Sequence, residues 1–303
     1  MSFTVMVKNE ITKNESVRSE NIAELSAIIK NSSSYENDVL KINTENAAVA
    51  RRIYSLLKEL YNVQIKITVR SNFNFKKNML YMLEIHNNAS IITNDLCILD
   101  DVPEDYIIDS DVEKAAYLKG CFLAKGSIND PKSSRYHLEF LVNSKKYALF
   151  LKELLNQYNL NSRFLKRSKG YMVYIKEAEK IGDFLRIIKA YNAVLYFEDI
   201  RIYRDHKNMT NRLNNCEQAN VNKIIATALR QVDDINLILE KSTLDILDEK
   251  TKEACIYRLK YQESSLLELS EIMTHETGEV VTKSGLNHRF RRVKEVAEKI
   301  REM

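Results

Sequence analysis

Six glycines and two prolines in 303 residues leave this chain few places to turn sharply. Typical usage is about 7% glycine and about 5% proline. These two residues are the strongest local breaks in regular structure. Their scarcity predicts long helices and strands with few complex loops. The glycines, Gly120, Gly126, Gly170, Gly182, Gly278 and Gly285, are also scattered. Neither a GxGxxG nor a P-loop pattern can be drawn through them, which speaks against dinucleotide and P-loop chemistry. Hydrophobic residues at 45% and charged residues at 29% fit a globular protein with a real core. The length suggests two domains.

Cys97, Cys121, Cys216 and Cys255 never stand two residues apart, so no CxxC pair exists. The histidines, His86, His137, His206, His275 and His288, form no HExxH pair. Residues 1–14 have no continuous apolar segment of the kind a secretory signal needs. No stretch approaches the roughly 18 apolar residues of a membrane span. The expectation is a cytoplasmic, thiol-reduced protein with no metal, no cofactor and no membrane contact. Net charge is +4, and residues 283–303 alone carry seven basic against three acidic residues. That concentration points to nucleic acid.

Periodicity repeats along the first two thirds. Residues 16–31 read as a helix with Ile22, Leu25 and Ile29 on one side and Ser16 or Ser19 as its cap. A short strand follows at 38–43, then a helix at 45–62 with a stripe of Val49, Ile53, Leu56, Leu57 and Leu60. Residues 63–70 alternate: Val63, Ile65, Ile67 and Val69 on one face, Gln64, Lys66, Thr68 and Arg70 on the other. Another strand is predicted at 78–86. The same order returns with a helix at 112–124, a strand at 135–142, a helix at 144–158 and a hairpin at 162–176 around Lys169-Gly170. Tyr136, Phe140 and Tyr171 are assigned to core. The elements fit one sheet with helices on a single face, leaving Lys66, Arg70 and Lys166 on a polar face suited to a duplex.

Within the second copy, residues 117–128 (YLKGCFLAKGSI) resemble the LAGLIDADG motif of homing endonucleases; residues 24–34 (ELSAIIKNSSS) are the weaker first copy. The resemblance implies two helices packed at a pseudo-twofold axis, each offering a terminal carboxylate to a divalent metal. Ala27 and Gly120 are the small residues that let the backbones approach. The acidic positions are Ser32 and Lys125 here. Metal-assisted hydrolysis needs oxygen ligands of negative charge, and an ammonium repels the cation. A nuclease-like fold without nuclease chemistry is expected; Glu36 and Asp130 are the nearby acids that a displaced metal site would use.

Residues 265–273, with Leu266, Leu269, Ile272 and Met273 at helical spacing, precede a second amphipathic segment, 283–294, whose apolar face is Leu286, Phe290, Val293 and Ala297. The pair resembles a helix-turn-helix similar to that of sigma factors, with a long turn at 274–282. Thr282 or Ser284 can cap the second helix. Lys283, Ser284, Asn287, His288 and Arg291 are the candidates for the DNA groove, since Asn and Arg pair bidentately with adenine and guanine edges. Arg289, Arg292 and Lys294 are the candidate phosphate contacts.

Taken together, and with 122–138, 208–230 and 283–292 as the most specific stretches, the chain resembles the WhiA family of sporulation and cell-division regulators. The resemblance implies an α+β fold: two LAGLIDADG-like αββαββ repeats forming one domain, then an all-α helix-turn-helix domain. The expected boundaries are an extension at 1–15, the degenerate LAGLIDADG domain at 16–192 (repeats about 16–100 and 111–192), a helical connector at 193–240 that packs between the domains, and the helix-turn-helix domain at 241–303. Where the family usually has glycine, this chain has Lys125. The implied function is sequence-specific binding of double-stranded promoter or operator DNA by a monomeric, nucleoid-associated protein, with other transcription or division proteins as further partners. A homing endonuclease with a displaced metal site and a scaffold of the division machinery remain the alternatives.

Overall fold

The computed structural model describes residues 1–72, 78–133, 135–241 and 244–302. Part of the predicted C-terminal domain, residues 242, 243 and 303, lies outside the described residues, as does Ser134 in one of the specific stretches. The chain divides into two units, Met1–Arg204 and Asp205–Met303. Their cores are separate clusters of side chains.

Unit 1 is built twice from the same parts. The first set is α2 (Arg18–Ser32), β1 (Ser33–Glu36), β2 (Val39–Thr44), α3 (Ala47–Tyr61), β3 (Lys66–Asn72), β4 (Asn78–Ile85) and α4 (Ala89–Asp95). The second is α5 (Asp111–Lys125), β5 (Gly126–Ile128), β6 (Leu138–Val142), α6 (Lys145–Gln157), β7 (Arg163–Arg167), β8 (Gly170–Ile175) and α7 (Ala178–Ile187). Each set makes its own antiparallel four-stranded sheet, in the orders β1-β2-β4-β3 and β5-β6-β8-β7. The single sheet expected from the sequence is therefore two. Alternation fixes the helix-side face but not the number of sheets, because every pairing stays inside its own copy.

The strand registers sort the polar residues. Ile67 pairs with Leu83, which pairs with Ile42, so Ile67 and Val69 share the helix-side face. They lie on an edge strand, and about half of each remains exposed. Lys66 and Arg70 point to the opposite face, as the alternation requires. Lys166 does not join them. It lies two residues from Phe164, whose partner is the buried Val173, so it belongs to the helix side; Arg163 and Arg167 take the outer face. The cause is parity: β7 starts at Arg163, and a shift of one residue exchanges the faces.

Helix α1 (Phe3–Ile11) is the element the sequence disguised as an extension. Phe3, Val7 and Ile11 are buried in the main core. Phe3 stacks on Tyr196 and Phe197 at 5.7 and 6.2 Å. The Thr4 hydroxyl both donates to the Ile128 carbonyl and accepts from its N–H, each at 2.9 Å. The Glu10 carboxylate accepts the amides of Asn192 and Ala193 at 2.7 and 3.0 Å. An acid there suits the positive end of the helix dipole. Residues 1–15 thus belong to the folded unit.

Helix α8 (Tyr191–Lys241) runs 51 residues without a break. Neither Gly nor Pro occurs in it, which is why the expected connector is one continuous helix. Unit 2 continues with α9 (Glu249–Lys260), α10 (Leu266–Thr277) and α11 (Lys283–Glu302). Its core joins Ile235 and Ile238 of α8 to Cys255, Leu269, Met273, Leu286, Phe290, Val293 and Ala297. No described helix is long and apolar enough to cross a membrane.

Candidate nucleic-acid interface

Helices α2 and α5, each 15 residues long, pack side by side in unit 1. At their crossing Gly120 faces Ala27. A Cβ on Gly120 would stand 2.3 Å from the Glu24 carbonyl oxygen and 2.7 Å from the Ala27 Cβ. Only glycine permits this approach. Gly126 has an extended backbone, so conformation does not demand glycine there; space does, since a Cβ would stand 2.2 Å from the Phe122 ring.

The two helix ends carry no carboxylate. The Ser32 hydroxyl donates to the Ile28 carbonyl at 2.6 Å. Lys125 is exposed. Lys8 of α1 lies with its ammonium 5.7 Å from the centre of the Phe122 ring. Burial, then the like charge of Lys125, brings the Lys8 amine down to about 8 against the opposing pull of Glu45. A divalent cation needs anionic oxygens, and this donor set does not fit one. Of the displaced-site acids, Asp130 accepts the Lys132 amide at 2.9 Å within a turn, and Glu36 ends β1, exposed. Among the described residues, Cys97, Asp100 and Glu104 bring ligand-type atoms within 4.8 Å of one another, in the segment between α4 and α5.

Lys8 has a pH signature. Its folded value, about 8, lies below the ordinary 10.5, so the folded chain resists its protonation. That penalty is in full force below about pH 8 and fades as pH rises towards 10.5. Lys8→Met is expected to stabilise the protein by about 2 kcal/mol at pH 7 and by almost nothing at pH 10.5. Urea unfolding of both chains at the two pH values measures the difference.

In unit 2, α10 and α11 form the helix-turn-helix. Ser265 caps α10 by accepting the Glu268 amide at 3.1 Å, while Glu268 accepts the Ser265 amide at 2.7 Å. The helix runs one turn past its apolar stripe to Thr277 and stops at Gly278, whose φ of +73° is the left-handed conformation that glycine adopts without strain. The long turn expected at 274–282 is thereby shortened. Thr274 closes it, its hydroxyl accepting the Val281 amide at 3.0 Å and donating to the Ser270 carbonyl at 2.7 Å. Thr282 caps α11 through the Gly285 amide at 3.1 Å.

Leu286, Phe290, Val293 and Ala297 are all buried. Helical geometry then turns Ser284, Asn287, His288 and Arg291 outward on one strip, with Lys283 at its start. All five are exposed. The phosphate candidates sit differently. Arg289 donates to the Lys250 carbonyl at 3.1 Å, and Arg292 pairs with Asp248 at 3.0 Å. Both lie on the flank of α11 that packs against the start of α9. Lys294 pairs with Glu298 at 3.5 Å on α11 itself. Exposed pairs of this kind contribute roughly 0–1 kcal/mol, so a phosphate can displace them.

Two buried polar groups escaped the sequence reading. Glu24 is fully buried. Arg52 grips it with Nε and a terminal nitrogen at 3.0 and 2.8 Å, and the nearly buried Lys119 donates to it at 3.0 Å. Burial alone would lower the Arg52 value, but Glu24 outweighs it and the net direction is upward. For Lys119, burial wins and the value falls. In unit 2, Arg258 is 1% exposed. It donates to the carbonyls of Tyr261 and Ser264 at 3.2 and 2.6 Å and lies 5.4 Å from the centre of the Phe290 ring. Charged residues on amphipathic helices normally read as solvated, so neither signal was available.

Known proteins match this arrangement. The family model described as the WhiA N-terminal LAGLIDADG-like domain matches residues 18–99, that of the WhiA LAGLIDADG-like domain residues 114–207, and that of the WhiA C-terminal HTH domain residues 210–297. A protein named "Probable cell division protein WhiA" from Staphylococcus epidermidis is 45% identical over 311 residues, covering 99% of this chain and 98% of that one. Its namesake from Bacillus licheniformis is 46% identical over 312 residues, with the same coverage. The crystal structure of full-length DUF199/WhiA from Thermatoga maritima superposes with a TM-score of 0.60 at 24% identity, over 99% of both chains. The N-terminal LAGLIDADG domain structure of DUF199/WhiA gives 0.51 at 22% identity, over 62% of this chain and 90% of that one. With two LAGLIDADG-like domains and a C-terminal HTH domain matched, and relatives of 45–46% identity over nearly the full length, this chain belongs to the WhiA family.

Proposed function

We propose that this protein is a sequence-specific DNA-binding regulator of transcription that does not cut DNA. The observation that carries the reading is the outward strip of α11, where Ser284, Asn287, His288 and Arg291 stand together over a buried apolar face. The strip offers donors and acceptors to base edges, and the exposed start of α11 offers amides and Lys283 to a phosphate. Ser32 and Lys125 at the helix ends support binding without hydrolysis. The process regulated is cell division, the one the relatives' names give, with chromosome segregation or sporulation as the alternatives. The protein acts as a nucleoid-associated monomer on promoter or operator duplexes, with other transcription or division proteins as further partners.

The test is a comparison of variants of the full chain on duplexes selected from its own chromosome. Asn287→Ala and Arg291→Ala are expected to lose about 1–3 kcal/mol on the selected site and little on random DNA. Lys294→Ala is expected to weaken all duplexes alike and to flatten the salt dependence. Equal loss on both kinds of DNA by all three variants would contradict the placement of the strip in the groove.

A further inference from the structure

Unit 1 contains a cleft of about 900 Å³ whose lining, apart from Lys125, the DNA reading does not use. It lies among α1, the turn from β2 into α3, the start of β4 and the end of α5. Lys8, Lys13, Arg51 and Lys125 line it, against one carboxylate, Glu45. Lys13, Arg51 and Lys125 are exposed and form no salt bridge among the described residues. Lys8 is half-buried, against the Phe122 ring. Burial of an ammonium among other cations is costly unless an anion pairs with it.

Three features favour a small ligand over a duplex. The volume falls in the range of small-molecule sites, about 300–1,000 Å³. The half-buried Lys8 ammonium is accessible to a compact anion but recessed from a broad, convex phosphate backbone. An apolar wall of Val5, Met79 and Tyr81 faces the cations with surface for an organic body. The amides at the start of α3 are not the source of selectivity, because the Asn46 side chain already accepts from Ala48 and Val49 at 2.8 and 3.2 Å. Side-chain cations must supply it.

We propose that this cleft binds a small organic molecule bearing two or more phosphates, with the phosphates between Lys8 and Lys125 and the organic body against Met79 and Tyr81. A regulator with such a site couples its state to a phosphorylated metabolite. The site stands independently of the DNA reading, and its test contains no DNA in the first arm.

The experiment is calorimetric titration of the full chain with inorganic pyrophosphate, the minimal probe, alongside thermal melting with and without it. The expected result is binding to one site and a raised melting temperature. The double variant Lys8→Met/Lys125→Gln is expected to bind at least about tenfold more weakly, a loss of about 1.4 kcal/mol. Its own melting temperature without probe should not fall, which separates lost binding from lost folding. Lys166→Gln, outside the cleft, should respond as the parent chain does. Equal binding by the double variant, or no binding at millimolar pyrophosphate, would overturn the proposal. So would a second arm in which a short random duplex displaces pyrophosphate from the parent chain, because the cleft would then be a DNA contact.

Discussion

Glu24→Gln is expected to destabilise unit 1 by about 3–5 kcal/mol, the usual cost of removing one partner from a buried charge cluster. The carboxylate is fully buried, and Arg52 and Lys119 converge on it from α3 and α5. Without it, two cations lie close together in the core with only the weaker pull of Glu20 and Glu59 to offset them. Urea unfolding followed by tyrosine fluorescence and circular dichroism measures the loss. Unit 2, with a separate core, should unfold at an unchanged midpoint. Adding Lys119→Met to Glu24→Gln should recover part of the stability, since one stranded charge is then gone. If Glu24→Gln costs under about 1 kcal/mol, the cluster is solvated and its structural role falls.

The second large effect belongs to unit 2. Arg258→Ala is expected to cost about 2–4 kcal/mol there, through a cavity beside Phe290 and the loss of a charged donor from two carbonyls. Those carbonyls belong to the segment that joins α9 to α10. Arg258→Lys should not rescue it fully, because an ammonium lacks the planar guanidinium that lies against the Phe290 ring while one of its nitrogens meets both oxygens. DNA affinity should fall with the folded fraction of unit 2 and recover at low temperature. A variant that keeps full stability but loses DNA binding would instead make Arg258 part of the interface.

Much of this fold was written in periodicity. The stripe Val49, Ile53, Leu56 and Leu57 placed α3, and Leu286, Phe290, Val293 and Ala297 placed α11, because a single buried face forces apolar residues to recur every three or four positions. Helix α1 was hidden for the opposite reason. Its buried residues Phe3, Val7 and Ile11 are few and its remaining positions mixed, so no stripe stands out over nine residues. The side of Lys166 could not be read because it depends on where β7 begins. The unit boundary within α8 was equally illegible, since an unbroken helix carries no composition change between units.

The outward strip of α11 was legible because burying one face of a helix determines the other. The pairing of Arg289 and Arg292 with the start of α9 was not, since Lys250 and Asp248 are 39 and 44 residues away in sequence and only tertiary packing brings them near. Glu24, Arg52 and Lys119 were hidden in the same way. Each taken singly is an ordinary charged residue on a helix.

A single incubation tests the central claim most directly. The full chain is mixed with fragments of its own chromosome and millimolar magnesium or manganese; bound fragments are recovered, sequenced and run under denaturing conditions. The expected result is a small set of enriched sites whose strands are intact. Enriched fragments carrying a cation-dependent nick or break, with the cutting abolished by Glu36→Gln or Asp130→Asn, would contradict it.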